Sequence, residues 1–195
     1  MERKTSCKFT VKVLPIKRLN YVENSQYPLD FIYPDNPTWH ENNVDNRFYS
    51  DPIITAMTGM MVRPAEKKMP LEHFKVLAIT RGFTPTQWLS LAPKHKIRFQ
   101  ETFNALASLK MVNYNRADGA DVEYNVARYL TAKNKLSPLV LATQLPPWPT
   151  PFHLSTQKHP KILMLINQLM SQYPQELKAL KAQLNIKEMS LEKLK

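Results

Sequence analysis

Glycine, cysteine and acidic residues are all scarce in this chain, and each scarcity closes off a class of protein. Glycine occurs three times in 195 residues. Phosphate-cradling loops and tight hairpins rely on glycine for positive φ and close backbone approach, so nucleotide-binding loops and hairpin-rich β folds are not expected. Cysteine occurs once, as Cys7, which rules out an internal disulfide and a cysteine-built structural zinc site and suits a reducing cytoplasm. Acids number 16 against 27 bases, a net charge of +11 with histidine neutral. Long apolar runs are missing as well. The longest aliphatic stretch, Ile162-Leu163-Met164-Leu165-Ile166, is far short of the ~18 residues needed to span a bilayer. The charged start from Met1 to Lys8 leads into no apolar signal core, so export by the general secretory route is not expected.

What is present is the composition of a folding chain: 43% hydrophobic and 22% charged residues. At about 150 residues per domain, the length suits one domain with an appendage. The first 50 residues stand apart. Residues 1–22 carry a charge of +5 and residues 23–50 a charge of −4. Cys7, Phe9, Val11 and Val13 alternate with polar neighbours, the period-two pattern of a half-buried strand. From residue 19 to 48, aromatics including Tyr21, Phe31, Tyr33, Trp39 and Phe48 are punctuated by Pro28, Pro34 and Pro37. That spacing predicts an extended arm over 1–50, with one or two short strands, packed on the body.

After residue 50 the spacing reads as helical. Asp51-Pro52 offers a capped start for a helix over 53–62. Leu71, Phe74, Leu77 and Ala78 suggest a second over 71–81, ended by Gly82. Thr84, Pro85 and Gln87 form the start of a third over 85–92. Further helices are expected over 94–111 and 121–133, with a short turn at 137–142. Pro146, Pro147, Pro149 and Pro151 mark a stiff linker over 146–158, and 159–195 reads as a helical hairpin. The expected fold class is therefore mainly α, six to seven helices, with the helical core at 51–145.

Chemistry-bearing signals are thin. His40-Glu41 opens like a zinc-protease signature, but the position for the second histidine holds Val44, so no metal site is assigned. His73, His95, His153 and His159 have no positioned partner by spacing, and no glycine-flanked serine accompanies His153 and His159. Cys7 has Lys4 and Lys8 nearby to lower its pKa, yet no partner histidine can be assigned. No catalytic residue and no cofactor is expected. Basic residues cluster at Lys94, Lys96 and Arg98 and at Lys158 and Lys161. The first cluster precedes an expected helix start, where a bound anion would offset the positive dipole end.

The stretch Ile79-Thr80-Arg81-Gly82-Phe83-Thr84-Pro85-Thr86-Gln87-Trp88-Leu89-Ser90-Leu91 resembles the short helical units, of the form Gly-x-x-x-x-Gln-x-Leu-x-Leu, of secreted effector proteins from Legionella-like intracellular bacteria. The resemblance implies a helical interaction surface and delivery into a host cell, and it carries no catalytic residues. Beside it, the sequence-based reading is a non-enzymatic helical module that binds another protein as an adaptor or effector, working in the cytoplasm or a host cell. Tyr33, Trp39, Trp148 and Phe152 are its candidate anchors. The alternative is a basic, nonspecific nucleic-acid binder using Lys94, Lys96, Arg98, Lys158 and Lys161. Enzymatic activity is the third reading.

Overall fold

A computed structural model describes residues 7–14, 18, 29–39, 46–145 and 147–188. Among them nine strands and five α-helices follow one another along the chain. The strands are β1 (Ile32–Asp35), β2 (Phe48–Tyr49), β3 (Ile54–Thr58), β4 (Met60–Val62), β5 (Val76–Thr80), β6 (Arg98–Thr102), β7 (Gly119–Asp121), β8 (Val140–Leu141) and β9 (Trp148–Thr156). The helices are α1 (Leu91–His95), α2 (Ala105–Asn113), α3 (Tyr124–Lys133), α4 (Pro160–Gln172) and α5 (Pro174–Gln183). The chain divides into two compact units, Met1–Ile54 with Pro151–Ile186, and Thr55–Thr150 with Lys187–Lys195.

The second unit is built on a five-stranded sheet in the order β6-β5-β7-β4-β8. Strand β5 lies parallel to β6 and β7, with Leu77 opposite both Phe99 and Gly119. Strands β4 and β7 run antiparallel, placing Met60 opposite Asp121. Side chains alternate across this sheet as the two-residue strand period requires. Met60, Val62, Leu77 and Ile79 face a core with Leu71, Phe74, Trp88, Ala92 and Ile97. Met61, Ala78 and Ala120 face a second core with Leu109, Val112, Val122 and Ala127 from the α2 and α3 side.

The mainly α expectation is therefore overturned, and the reason lies in that double burial. A strand covered on both faces is apolar at every position, so its sequence shows no alternation. Residues 53–62, expected as a helix, form β3 and β4, with Ala56, Met57, Met60, Met61 and Val62 all buried. The expected helix over 71–81 breaks at Phe74 into a 3-10 turn, Leu71–His73, and strand β5. A carboxylate distant in sequence starts that strand: Asp118 Oδ2 accepts the Lys75 and Val76 N–H groups at 2.7 and 2.8 Å. The expected helix over 85–92 is a 3-10 turn, Thr86–Trp88, followed by the start of α1. Residues 94–111 divide among the end of α1, strand β6 and most of α2, which Asn104 caps by accepting the Ala107 N–H at 2.9 Å. The alternating segment 7–13 is not a strand, and Val11 and Val13 are exposed.

In the first unit β9 is central, antiparallel to β1 and β2, so most of the stretch read from its prolines as a linker is strand. A buried polar cluster ties these strands. Asp35 accepts a short hydrogen bond from Ser155 and the Asn36 N–H at 2.8 Å, and Arg47 lies 3.5 Å from its carboxylate. Helices α4 and α5 begin at Pro160 and Pro174, where a missing N–H costs nothing, and Leu163 and Ile166 are the buried residues of α4.

Gly119 has no room for a side chain, since a Cβ there would overlap the buried Met60 side chain. Gly119→Ala is expected to destabilise the protein by about 1–3 kcal/mol through overpacking, read as a lower denaturant midpoint at unchanged slope.

Candidate functional site

In an open α/β sheet the ends of parallel strands gather loops at one edge, and ligands bind outside the carboxyl ends. Strands β5, β6 and β7 end here at Thr80, Thr102 and Asp121. Because β4 is antiparallel to β7, its first residue, Met60, lies at the same edge, and Thr58 and Gly59 lead into it.

Asp121 is the chemically loaded residue of this edge. Packing of protein atoms around its carboxyl group removes water and pushes its pKa up from 3.8 to about 6. The Trp88 indole N–H offsets this in part. That N–H is buried and reaches no acceptor at normal hydrogen-bond geometry, so its effect on Asp121 is a weak one. The firm partner is Gln87, whose Nε2 donates to Asp121 Oδ1 at 3.2 Å. From there a polar chain continues: Thr58 Oγ1 lies 3.4 Å from Gln87 Oε1 and 2.9 Å from Thr150 Oγ1, and 3.2 Å from the Trp148 carbonyl oxygen. Among the described residues no Lys or Arg pairs with Asp121, and the carboxylate is met by the Gln87 amide and, weakly, the Trp88 indole.

Local sequence explains the placement. After β5 the chain turns through Gly82, whose φ of 94° needs a residue without Cβ strain, and the Phe83 N–H closes the turn on the Thr80 carbonyl at 3.1 Å. The 3-10 turn Thr86–Trp88 then buries the indole in the core and leaves Gln87 half-buried beside Asp121. Before α3, Glu123 accepts the Val126 N–H at 2.8 Å and caps the helix, which the sequence had placed over 121–133. Asp121 is thereby left to the sheet edge. Sequence reasoning missed it because it reads as an ordinary helix cap, and the one signal pointing to it was the polar Gln87 amid Trp88, Leu89 and Leu91.

The residues proposed from sequence fall elsewhere. Trp39 and Phe152 pack on each other in the first unit, ring centroids 5.7 Å apart and edge-on. Tyr33 lies exposed on β1, and Trp148 lies exposed at the start of β9. Lys94 is in the last turn of α1, Lys96 is its left-handed cap residue with φ 55°, and Arg98 opens β6. The cluster therefore follows a helix and complements its negative end, rather than waiting for an anion at a helix start. Lys158 and Lys161 flank the start of α4 in the other unit, both exposed. His153 Nδ1 lies 2.6 Å from the Ser50 carbonyl oxygen, and His159 Nε2 lies 3.1 Å from Asp30. His73 is exposed, His95 Nδ1 lies 3.9 Å from Glu72, and Cys7 is half-buried. His40, Glu41 and Lys4 lie outside the described residues. Among the described residues no group of three or more His, Cys, Asp or Glu is placed to hold a metal, and no helix is long and apolar enough to cross a membrane.

No protein-family model matches the chain, and no curated protein matches it either. Solved structures do. The substrate-binding protein of an amino acid ABC transporter superposes with a TM-score of 0.69 at 14% identity, over 93% of this chain and 81% of that one. The holo arginine-binding protein of T. maritima gives 0.61 at 17% identity, over 92% and 75%. The solute receptor for L-cysteine of Neisseria gonorrhoeae gives 0.62 at 16% identity, over 86% and 68%. At these identities the likeness establishes the shared α/β fold. It also removes the basis of the sequence-based function readings: the similar structures are receptors for small solutes, so the helical adaptor or effector and the basic nucleic-acid binder are set aside with the mainly α class they rested on.

The pKa of Asp121 carries a stability prediction. The folded protein holds this proton up to about pH 6 and the unfolded chain releases it near 3.8, so stability falls as pH rises between those values. Asp121→Asn is expected to abolish that slope and to raise stability above pH 6 by up to about 3 kcal/mol, measured by chemical denaturation across pH 4–8.

Proposed function

We propose that this protein is a non-enzymatic receptor for a small ammonium-bearing solute of the amino-acid class, with Asp121 accepting the ammonium group. The observation that carries the reading is the half-buried Asp121, whose carboxylate is largely drawn out of water with no Lys or Arg to meet it among the described residues. A buried carboxylate alone disfavours its own ionisation, and a ligand ammonium placed against it restores the ionised form while gaining a charge-assisted hydrogen bond. Gln87 and the Thr58–Thr150 hydroxyl pair supply further neutral donors and acceptors along the same edge. The likeness to amino-acid receptors supports the class of solute.

Binding rather than catalysis is supported by the likeness to binding proteins, and Gln87, Thr58 and Thr150 offer hydrogen bonds that orient a ligand.

Calorimetry of the full chain against the standard amino acids tests this. A 1:1 heat of binding is expected at pH 7.5, about tenfold weaker at pH 5, because only about a tenth of Asp121 is then ionised. Asp121→Asn is expected to remove binding while the chain stays folded by circular dichroism. Failure of every amino acid to bind at pH 7.5 overturns the reading.

A further inference from the structure

The edge that carries Asp121 also carries aromatic rings that the second unit leaves in water. Phe103 follows β6 directly and is 87% exposed, Phe83 follows the turn after β5 and is 52% exposed, and Trp148 is 36% exposed. Exposed aromatics scattered singly need no explanation, but Phe83 and Phe103 stand at one end of the five-stranded sheet, and Trp148, at the start of β9 in the other sheet, is hydrogen-bonded to Thr58 just before β4. Strand register fixes that placement. Thr80 at the end of β5 lies opposite Thr102 at the end of β6, so Phe83 and Phe103 follow neighbouring strand ends. Ala78 lies opposite Ala120, which puts Asp121 on the strand flanking β5 on its other side. Trp148 is tied to the same edge through its carbonyl, 3.2 Å from Thr58 Oγ1.

Side-chain phase places Asp121 on the Trp88 side of the sheet. Phe99 packs against the core that contains Trp88, and Phe103 lies one residue past the end of that strand, in a bend. Asp121 contacts Gln87, the neighbour of Trp88, on the same side of the sheet. Strands β6 and β7 are two spacings apart across β5, roughly 10 Å, which is about the reach of an aromatic amino acid with contacts at both ends. The Arg81–Glu101 pair, 3.1 Å apart, neutralises the charges between the two Phe positions.

We propose that the solute is an aromatic amino acid, with its ammonium group on Asp121 and its ring against Phe83 and Phe103 on one side or Trp148 on the other. This rests on the receptor reading above and names the ligand side chain that the reading leaves open. Ring-on-ring contact is the chemistry these side chains offer: it buries apolar area on both partners and selects for a planar, apolar ligand body.

The test is calorimetry of the full chain at pH 7.5 with L-phenylalanine, L-tryptophan, L-alanine, L-glutamate and L-arginine. L-Phenylalanine or L-tryptophan is expected to bind at least about tenfold tighter than L-alanine. Phe103→Ala and Trp148→Ala, at exposed positions, are each made, and at least one is expected to cut that aromatic-to-alanine ratio by about tenfold. Equal or tighter binding of L-alanine, L-glutamate or L-arginine overturns the proposal while leaving the receptor reading intact, and so does an unchanged ratio in both variants. If none of the five amino acids binds, the proposal is overturned, and the remaining standard amino acids decide the receptor reading separately.

Discussion

Strand β5 can be apolar from Val76 to Ile79 only because both faces of its sheet are covered, by Trp88, Phe74 and α1 on one side and by α2 and α3 on the other. Leu77 and Ala78, pointing to opposite faces, are both fully buried. Covering both faces is what parallel pairing demands, and parallel pairing with β6 and β7 makes three strand ends converge on one edge. The placement of Asp121, Phe83 and Phe103 is a consequence of that packing. None of them is positioned by a contact to a like group; each is carried to the edge by the strand beneath it.

The electrostatics of that edge run against the chain as a whole. With a net charge of +11, the surrounding field favours an ionised carboxylate and would lower the pKa of Asp121. The pKa goes up instead. Exposed charges are screened within about 8 Å at physiological salt, whereas loss of water acts at the carboxyl itself, so the local effect wins. Gln87 tempers the cost without removing it, since one amide N–H replaces only part of a hydration shell.

How far the sequence discloses this fold depends on which signal each segment carries. Pro160 and Pro174 at helix starts, and the spacing of Leu163 and Ile166, are local features and mark α4 and α5 in the sequence. The segment 71–80 is the opposite case. Its apolar residues match a helical face by spacing, but Asp118 and the partners of β5 decide the outcome, and those contacts span some 40 residues. The alternation at 7–13 looked like a strand, yet alternation is only an offer of one buried face, and Val11 and Val13 stay in water. The site was the least legible part. Asp121, Gln87 and Thr58 lie far apart in the chain and belong to no motif, so only the sheet reveals them as neighbours.

The division of the chain has a consequence for its biosynthesis. Residues 55–150 supply the five-stranded sheet of their unit as one continuous segment, whereas the other unit takes strands β1 and β2 from before it and most of β9, with α4 and α5, from after it. During vectorial translation the five-stranded sheet emerges complete while the other unit still lacks most of its central strand. Until Ser155 leaves the ribosome, the buried cluster that Asp35 and Arg47 form with it cannot be completed.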